Sequence, residues 1–234
     1  MSNNRKPVYL LAGGSSSIKP GRPDPLIQAA LRQSGVDNPS VAYIGAASND
    51  NASFLTMISR LLRKAGASQV RLAPLCGRRA DPKEARDVIS ACDLVFMSGG
   101  DVEAGIEVLR TAGIIEFLQD QYQEGKPFFG ASAGSIMLAD SWVRWRDSDD
   151  DSGAELFPCL GIARICCDTH GEEDLWEELR VLTGLIPDET VTYGIPSGTA
   201  LVSNPDGSVQ AVNGEVHRFI RRGGIVRQIE SIRD

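Results

Sequence analysis

The sequence predicts an α/β protein with a mainly parallel sheet, helices on both faces, and an antiparallel meander at the C-terminal end. Three observations carry this expectation. Short apolar runs alternate with amphipathic stretches through the first half and beyond. Those runs are continuously apolar rather than alternating, as strands covered on both faces are. The last quarter then divides into short strands at Asp206-Gly207, Asn213-Gly214 and Gly223-Gly224, which are hairpin turn signals.

In chain order, Val8 to Ala12 is a buried strand closed by Gly13-Gly14. Asp24-Pro25 joins an N-cap to a proline at the first helical position, opening a helix over PLIQAALRQS that stops at Gly35. Val41 to Ile44 is the next strand, Phe54 to Ala65 a helix ending at Gly66, and Val70 to Leu72 a short strand. Asp81-Pro82 repeats the cap-plus-proline signal for a helix through Ala91. Leu94 to Met97 is a strand, Ala104 to Glu124 is mostly helical, Pro127 to Ala131 is a strand, and Ser135 to Ala139 begins a helix. Such alternation implies parallel strands joined by right-handed crossovers. The apolar run Leu160 to Cys167 points to another strand, followed by an acidic helix. Thr199 to Ser203, Val209 to Val212, Val216 to Ile220 and Ile225 to Ile229 form the meander that extends or edges the sheet. The acid run Asp147 to Asp151 is an exposed loop. The whole chain, 1–234, is expected to form one domain.

Bulk properties narrow the function classes. A net charge of −7 argues against a nucleic-acid partner, which would require a basic face. Five cysteines without a C-x-x-C pair read as reduced, half-buried thiols. Only His170 and His217 supply imidazole, neither at metal-ligand spacing, so neither metal nor cofactor is expected. The run Val8 to Ala12 is too short for a signal-peptide core, and no run approaches the ~20 residues of a membrane span. A soluble, cytoplasmic protein is expected, with no membrane partner.

The chemistry centres on G-A-S-A-G, Gly130 to Gly134, between a strand and a helix. That context suits a nucleophile elbow, where a serine on a sharp turn needs very small neighbours. Ser132 is the candidate nucleophile, and the Ala133 N–H at the helix start is a candidate oxyanion donor. The competing reading is a small-residue turn where a helix packs closely on a sheet. A second turn, MSGGD, brings Gly99 and Gly100 to the same sheet edge as further oxyanion donors. His170 follows the apolar run Leu160 to Cys167, at an expected strand end, and is the candidate base, whereas His217 sits in a strand of the meander as a surface or edge residue.

Together LLAGG, FMSGGD, GASAG, DTH and GIPSGTALVSNPDG make the chain resemble the S51 serine peptidases, the group of dipeptidase E and cyanophycinase. The resemblance implies a class I glutamine amidotransferase-like fold. It also implies Ser132 as nucleophile, His170 as base and backbone donors near Gly100 and Ala133. In one branch the triad acid falls about fifteen residues after the elbow, on Asp147. In the other it falls in a G-I-x-E-x-T-A segment, where this chain carries Ser197, so Asp147 is favoured and Asp168 and Glu172 stand in reserve. An amidotransferase would place cysteine at the elbow, and an α/β-hydrolase would need more β/α units before its histidine.

The expected function is therefore a serine peptidase acting on short peptides. The alternative is a non-catalytic ligand-binding module of the same fold. Substrate-binding candidates are Asp101, Arg164 and Glu172. The acidic stretch after His170 favours substrates whose amino or basic end meets it. The expected partner is a small peptide, and a homodimer is compatible with the sequence.

Overall fold

The computed structural model describes residues 4–13, 22–146 and 153–234. In chain order its strands are β1 (Val8–Leu11), β2 (Ser40–Ile44), β3 (Gln69–Leu72), β4 (Leu94–Met97), β5 (Phe128–Ala131), β6 (Ser141–Trp145), β7 (Ala154–Pro158), β8 (Cys166–Thr169), β9 (Thr192–Ile195), β10 (Ala200–Ser203), β11 (Val209–Val212), β12 (Glu215–Arg222) and β13 (Ile225–Arg233). The α-helices are α1 (Pro25–Arg32), α2 (Ala52–Ala65), α3 (Pro82–Ala91), α4 (Val102–Thr111), α5 (Ile115–Gln123), α6 (Ala133–Leu138) and α7 (Glu177–Leu185).

The main sheet has the order β11-β10-β1-β5-β4-β2-β3. The five strands β1 to β5 pair in parallel, and β10 and β11 extend the sheet antiparallel beyond β1. Alternation along β4 explains why its whole sequence is apolar. Leu94 and Phe96 enter the core under α1 and α2, while Val95 and Met97 enter the opposite core with α3, α4, α5 and α6. Both expected proline-led helices form: Asp24 accepts from the Leu26 and Ile27 amides, and Asp81 from those of Lys83 and Glu84.

The structure corrects four sequence expectations. The helical stretch Ala104 to Glu124 is two helices, because Gly113 adopts φ 64° and ends the first of them. Asp101 starts that helix two residues early by accepting from the Ala104 amide at 2.8 Å. The acidic stretch after His170 is a turn up to Trp176, and only Glu177 onward is helix. The reason is burial of the indole against Gly171 and Gly194, with Trp176 itself at φ 63°. The C-terminal meander is shared between two sheets. After Asn213 (φ 64°) and Gly214, β12 and β13 leave the main sheet for a second one ordered β13-β12-β9-β8. Three strands had no sequence expectation: β6 and β7, which form an antiparallel pair, and β9, which runs parallel to β8.

Two ties bring the second sheet to the C-terminal edge of the main one. The segment after β9 returns along β1, with Gly198 N–H donating to Gly13 O at 2.9 Å and Ala12 N–H to Thr199 O at 3.1 Å. Among the described residues no helix is long and apolar enough to cross a membrane.

Candidate active site

Ser132 follows β5, which lies between β1 and β4, so it stands at the middle of the parallel edge. Its backbone sits at φ 54°, ψ −128°, a region that costs a non-glycine residue about 1–3 kcal/mol. Tight packing holds it there. The Ser132 N–H donates to Leu11 O on β1 at 2.9 Å, and its carbonyl accepts from the Ser135 amide at 2.7 Å and the Ile136 amide at 3.3 Å. These bonds begin α6, leaving the Ala133 N–H among the donors ahead of the first helical bond.

The flanking glycines are required by close approach. A Cβ on Gly134 would lie 2.1 Å from Met97 O, and one on Gly130 would lie 2.5 Å from Gly134 C and O. On the neighbouring turn, a Cβ on Gly99 would lie 3.2 Å from the Ser132 Cβ and 3.6 Å from its Oγ. Gly100 has φ 144° and a Cβ there would overlap Ala47 O at 2.0 Å. The Gly99–Gly100 turn therefore passes directly beside Ser132.

His170 follows β8 at φ 67°, its N–H donating to Ile195 O at 3.3 Å. The exposed ring pairs through Nδ1 with Ser197 Oγ at 2.9 Å. Ser197 N–H in turn donates to Glu172 Oε1 at 2.5 Å. Burial pushes the Glu172 carboxyl up, but hydrogen bonds from the backbone and side chain of Ser197, with the His170 charge, outweigh this and hold it below its usual value. Among the described residues no hydrogen bond joins Ser132 to His170.

Ser132, Ala133, Gly100, Asp101, Asp168 and Glu178 line one cleft of about 350 Å³. Asp168 is 5% exposed. Its carboxyl is pushed up to about 7, first by burial and then by Glu178, Asp174 and Glu172, against a hydrogen bond from the Thr169 N–H. Folding thus favours the protonated acid. The unfolded chain releases this proton near its ordinary value, the folded chain only near about 7. The stability contribution is full below about pH 4 and falls as pH rises towards 7. Asp168→Asn should remove that fall, so denaturant unfolding at about pH 5 and pH 8 should show the wild type losing a few kcal/mol more than the variant. Identical pH dependence in the two proteins would show that this carboxyl is not held protonated.

Of the other sequence candidates, Asp147 lies outside the described residues. Arg164 is exposed and does not line the cleft; its charge acts on Tyr122, on α5. Glu172 is bonded to Ser197 rather than lining the cleft. His217 lies on β12, its ring against Trp176 at 5.6 Å. All five cysteines are free thiols.

A serine in a strained strand–turn–helix elbow beside a glycine turn, at the edge of a parallel sheet covered on both faces, is the arrangement of a hydrolase-type α/β protein. The chain belongs to peptidase family S51, which it matches over residues 9–210. It is 28% identical over 114 residues to pyridoxal 5'-phosphate synthase subunit PdxT of Halorubrum lacusprofundi, covering 47% of this chain and 53% of that one. It is 25% identical over 126 residues to Peptidase E of Haemophilus influenzae, covering 51% and 58%. The chain thus spans about half the length of these curated relatives. The crystal structure of a peptidase from an acI-B1 actinobacterium shares the fold, with TM-score 0.72, 21% identity, and coverage of 98% and 97% of the two chains.

Proposed function

We propose that this protein is a serine peptidase acting on short peptides, with Ser132 as nucleophile and His170 as general base. The observation that carries the proposal is the Ser132 backbone at φ 54°, ψ −128°, a strained conformation held by bonds to β1 and α6. In the reaction His170 Nε2 takes the Ser132 Oγ proton as Oγ attacks the peptide carbonyl carbon. The oxyanion accepts from the Ala133 amide and from the Gly99–Gly100 turn. The C–N bond breaks as His170 returns the proton to the leaving amine, and water then releases the acyl group by the same route in reverse. Hydrogen bonds of this kind are often long before substrate binds.

The third position is filled by a pair. In this reading Nδ1–H of His170 donates to Ser197 Oγ, and the Ser197 backbone N–H donates to the Glu172 carboxylate. With the proton on Nδ1, Nε2 is free as a base. Glu172 acts through Ser197 and is a positioning residue; Asp147 is the competing assignment.

Labelling with a fluorophosphonate and hydrolysis of a dipeptide panel test the proposal. Ser132→Ala should abolish both while remaining folded. Failure of the wild type to label would favour the non-catalytic binding module. Glu172→Gln should lower kcat several-fold with KM little changed, because Ser197 loses the carboxylate that holds it against His170, while Asp147→Asn leaves kcat in place. The reverse pattern would assign the role to Asp147.

A further inference from the structure

We propose that the cleft beside Ser132 is a subsite for the basic side chain of a peptide, a lysine ammonium or arginine guanidinium next to the scissile bond. The proposal rests on the peptidase reading above and names the substrate class of the same site. Four carboxylates line this cleft: Asp101 and Glu103 from the start of α4, Asp168 from β8, and Glu178 from α7. No lysine, arginine or histidine is among its lining residues.

The nearby cations are committed elsewhere. Arg144 and Arg146 both pair with Glu155, at 2.6 Å each. Arg180 donates to Leu175 O and lies over the Phe219 ring. Asp101, Glu103 and Glu178 make the field in the cleft negative even with Asp168 protonated, and an aspartyl or glutamyl substrate meets repulsion there.

The second observation is the state of Asp168. It is buried and has one hydrogen bond, from the Thr169 N–H to Oδ1 at 2.6 Å. Among the described residues Oδ2 receives no donor, although the side chain lines the cleft. A buried carboxylate in that position lacks the donor or cation that such groups normally require.

The walls fit a long side chain rather than a bare ammonium. Ile136, Trp142, Val143 and Trp145 line the same cleft. They offer apolar surface to a methylene stem and aromatic faces to a cation. The groups acting on Asp168 are Glu178, Asp174 and Glu172, with Cys167 beside it on β8, and none is a cation. In the empty cleft these neighbours and burial favour the protonated acid. A bound cation reverses that preference, so binding releases a proton and strengthens as pH rises through neutrality.

The test is calorimetric titration of the full-length Ser132→Ala variant, which separates binding from turnover. The probes are three tripeptides blocked at both ends, Gly-Lys-Gly, Gly-norleucine-Gly and Gly-Glu-Gly, with unblocked Gly-norleucine-Gly as a fourth arm. The lysine peptide should bind at least tenfold tighter than the blocked norleucine peptide, and the glutamate peptide weakest. Adding Asp168→Asn should erase the lysine preference, and adding Glu178→Gln, at a more accessible position, should reduce it several-fold. Glu173→Gln, outside the cleft lining, should leave it unchanged. Equal affinity for the blocked lysine and norleucine peptides overturns the proposal. A gain on unblocking the norleucine peptide, without a lysine preference, gives the site to an α-amino group and also overturns it. Because no arm needs turnover, a non-catalytic protein that still prefers lysine would refute the peptidase reading alone.

Discussion

His170→Ala should lower kcat/KM for peptide hydrolysis by ~10³-fold or more, whereas His217→Ala should cost no more than a few-fold. A loss of that size is about 4 kcal/mol of barrier, the scale expected when the group that moves the proton is removed. The contrast follows from where each ring lies. His170 ends β8, is exposed, and keeps Nε2 clear because Nδ1 is bonded to Ser197. His217 points its ring at Trp176 and contacts Gln228 Nε2 at 3.2 Å, away from the Ser132 cleft. Since the His170 ring is exposed, its removal should leave the unfolding midpoint nearly unchanged, so lost activity cannot be ascribed to lost fold. Steady-state kinetics and circular dichroism on both variants provide the check. Equal losses, or the larger loss at His217, would overturn the assignment.

The elbow was legible because its determinants are local. A strand, five small residues and a helix lie consecutively, and burial on both faces makes each strand apolar. The His170 partner was not legible for the opposite reason. Ser197 is 27 residues from His170 and meets it only because β8 and β9 lie side by side in parallel. The available signal was that DTH and GIPS each follow a short strand; two parallel strands of matched length end at one edge. Glu172, a substrate candidate and a reserve choice for the triad acid, has its carboxylate on the Ser197 N–H. Glu178 belongs to the acidic stretch expected to meet the substrate, whereas Glu103 went unnoticed because it sits in the first turn of its helix, where acids are ordinary. The division of the meander between two sheets also escaped, since hairpin signals identify neighbours in a pair but not the sheet that receives them.

Gly134→Ala should be among the most destructive single-methyl changes available to this chain, costing about 4 kcal/mol or more, or preventing recovery of folded protein. The added carbon would lie 2.1 Å from Met97 O, 2.6 Å from Met97 C and 2.8 Å from Ser98 O. All three are backbone atoms of β4 or of the turn after it, so no side-chain rotation relieves the overlap. Relief requires α6 to move off the sheet. That motion pulls on Ser132, whose carbonyl starts α6 and whose amide is fixed to Leu11. The elbow and the glycine turn beside it therefore fail together, and any folded fraction should lose fluorophosphonate labelling. Gly184→Ala provides the control: it lies within α7, and the nearest atom to its added carbon is Val226 Cγ2 at 4.0 Å. There the same substitution should stabilise by roughly 0.5–1 kcal/mol, as alanine does over glycine in a helix. Thermal unfolding should place the two variants on opposite sides of the wild type, with Gly134→Ala lower by about 10 °C or more. A Gly134→Ala protein with wild-type Tm and intact labelling would mean that α6 does not press on β4, and the geometric basis for reading Ser132 as a held nucleophile would fall with it.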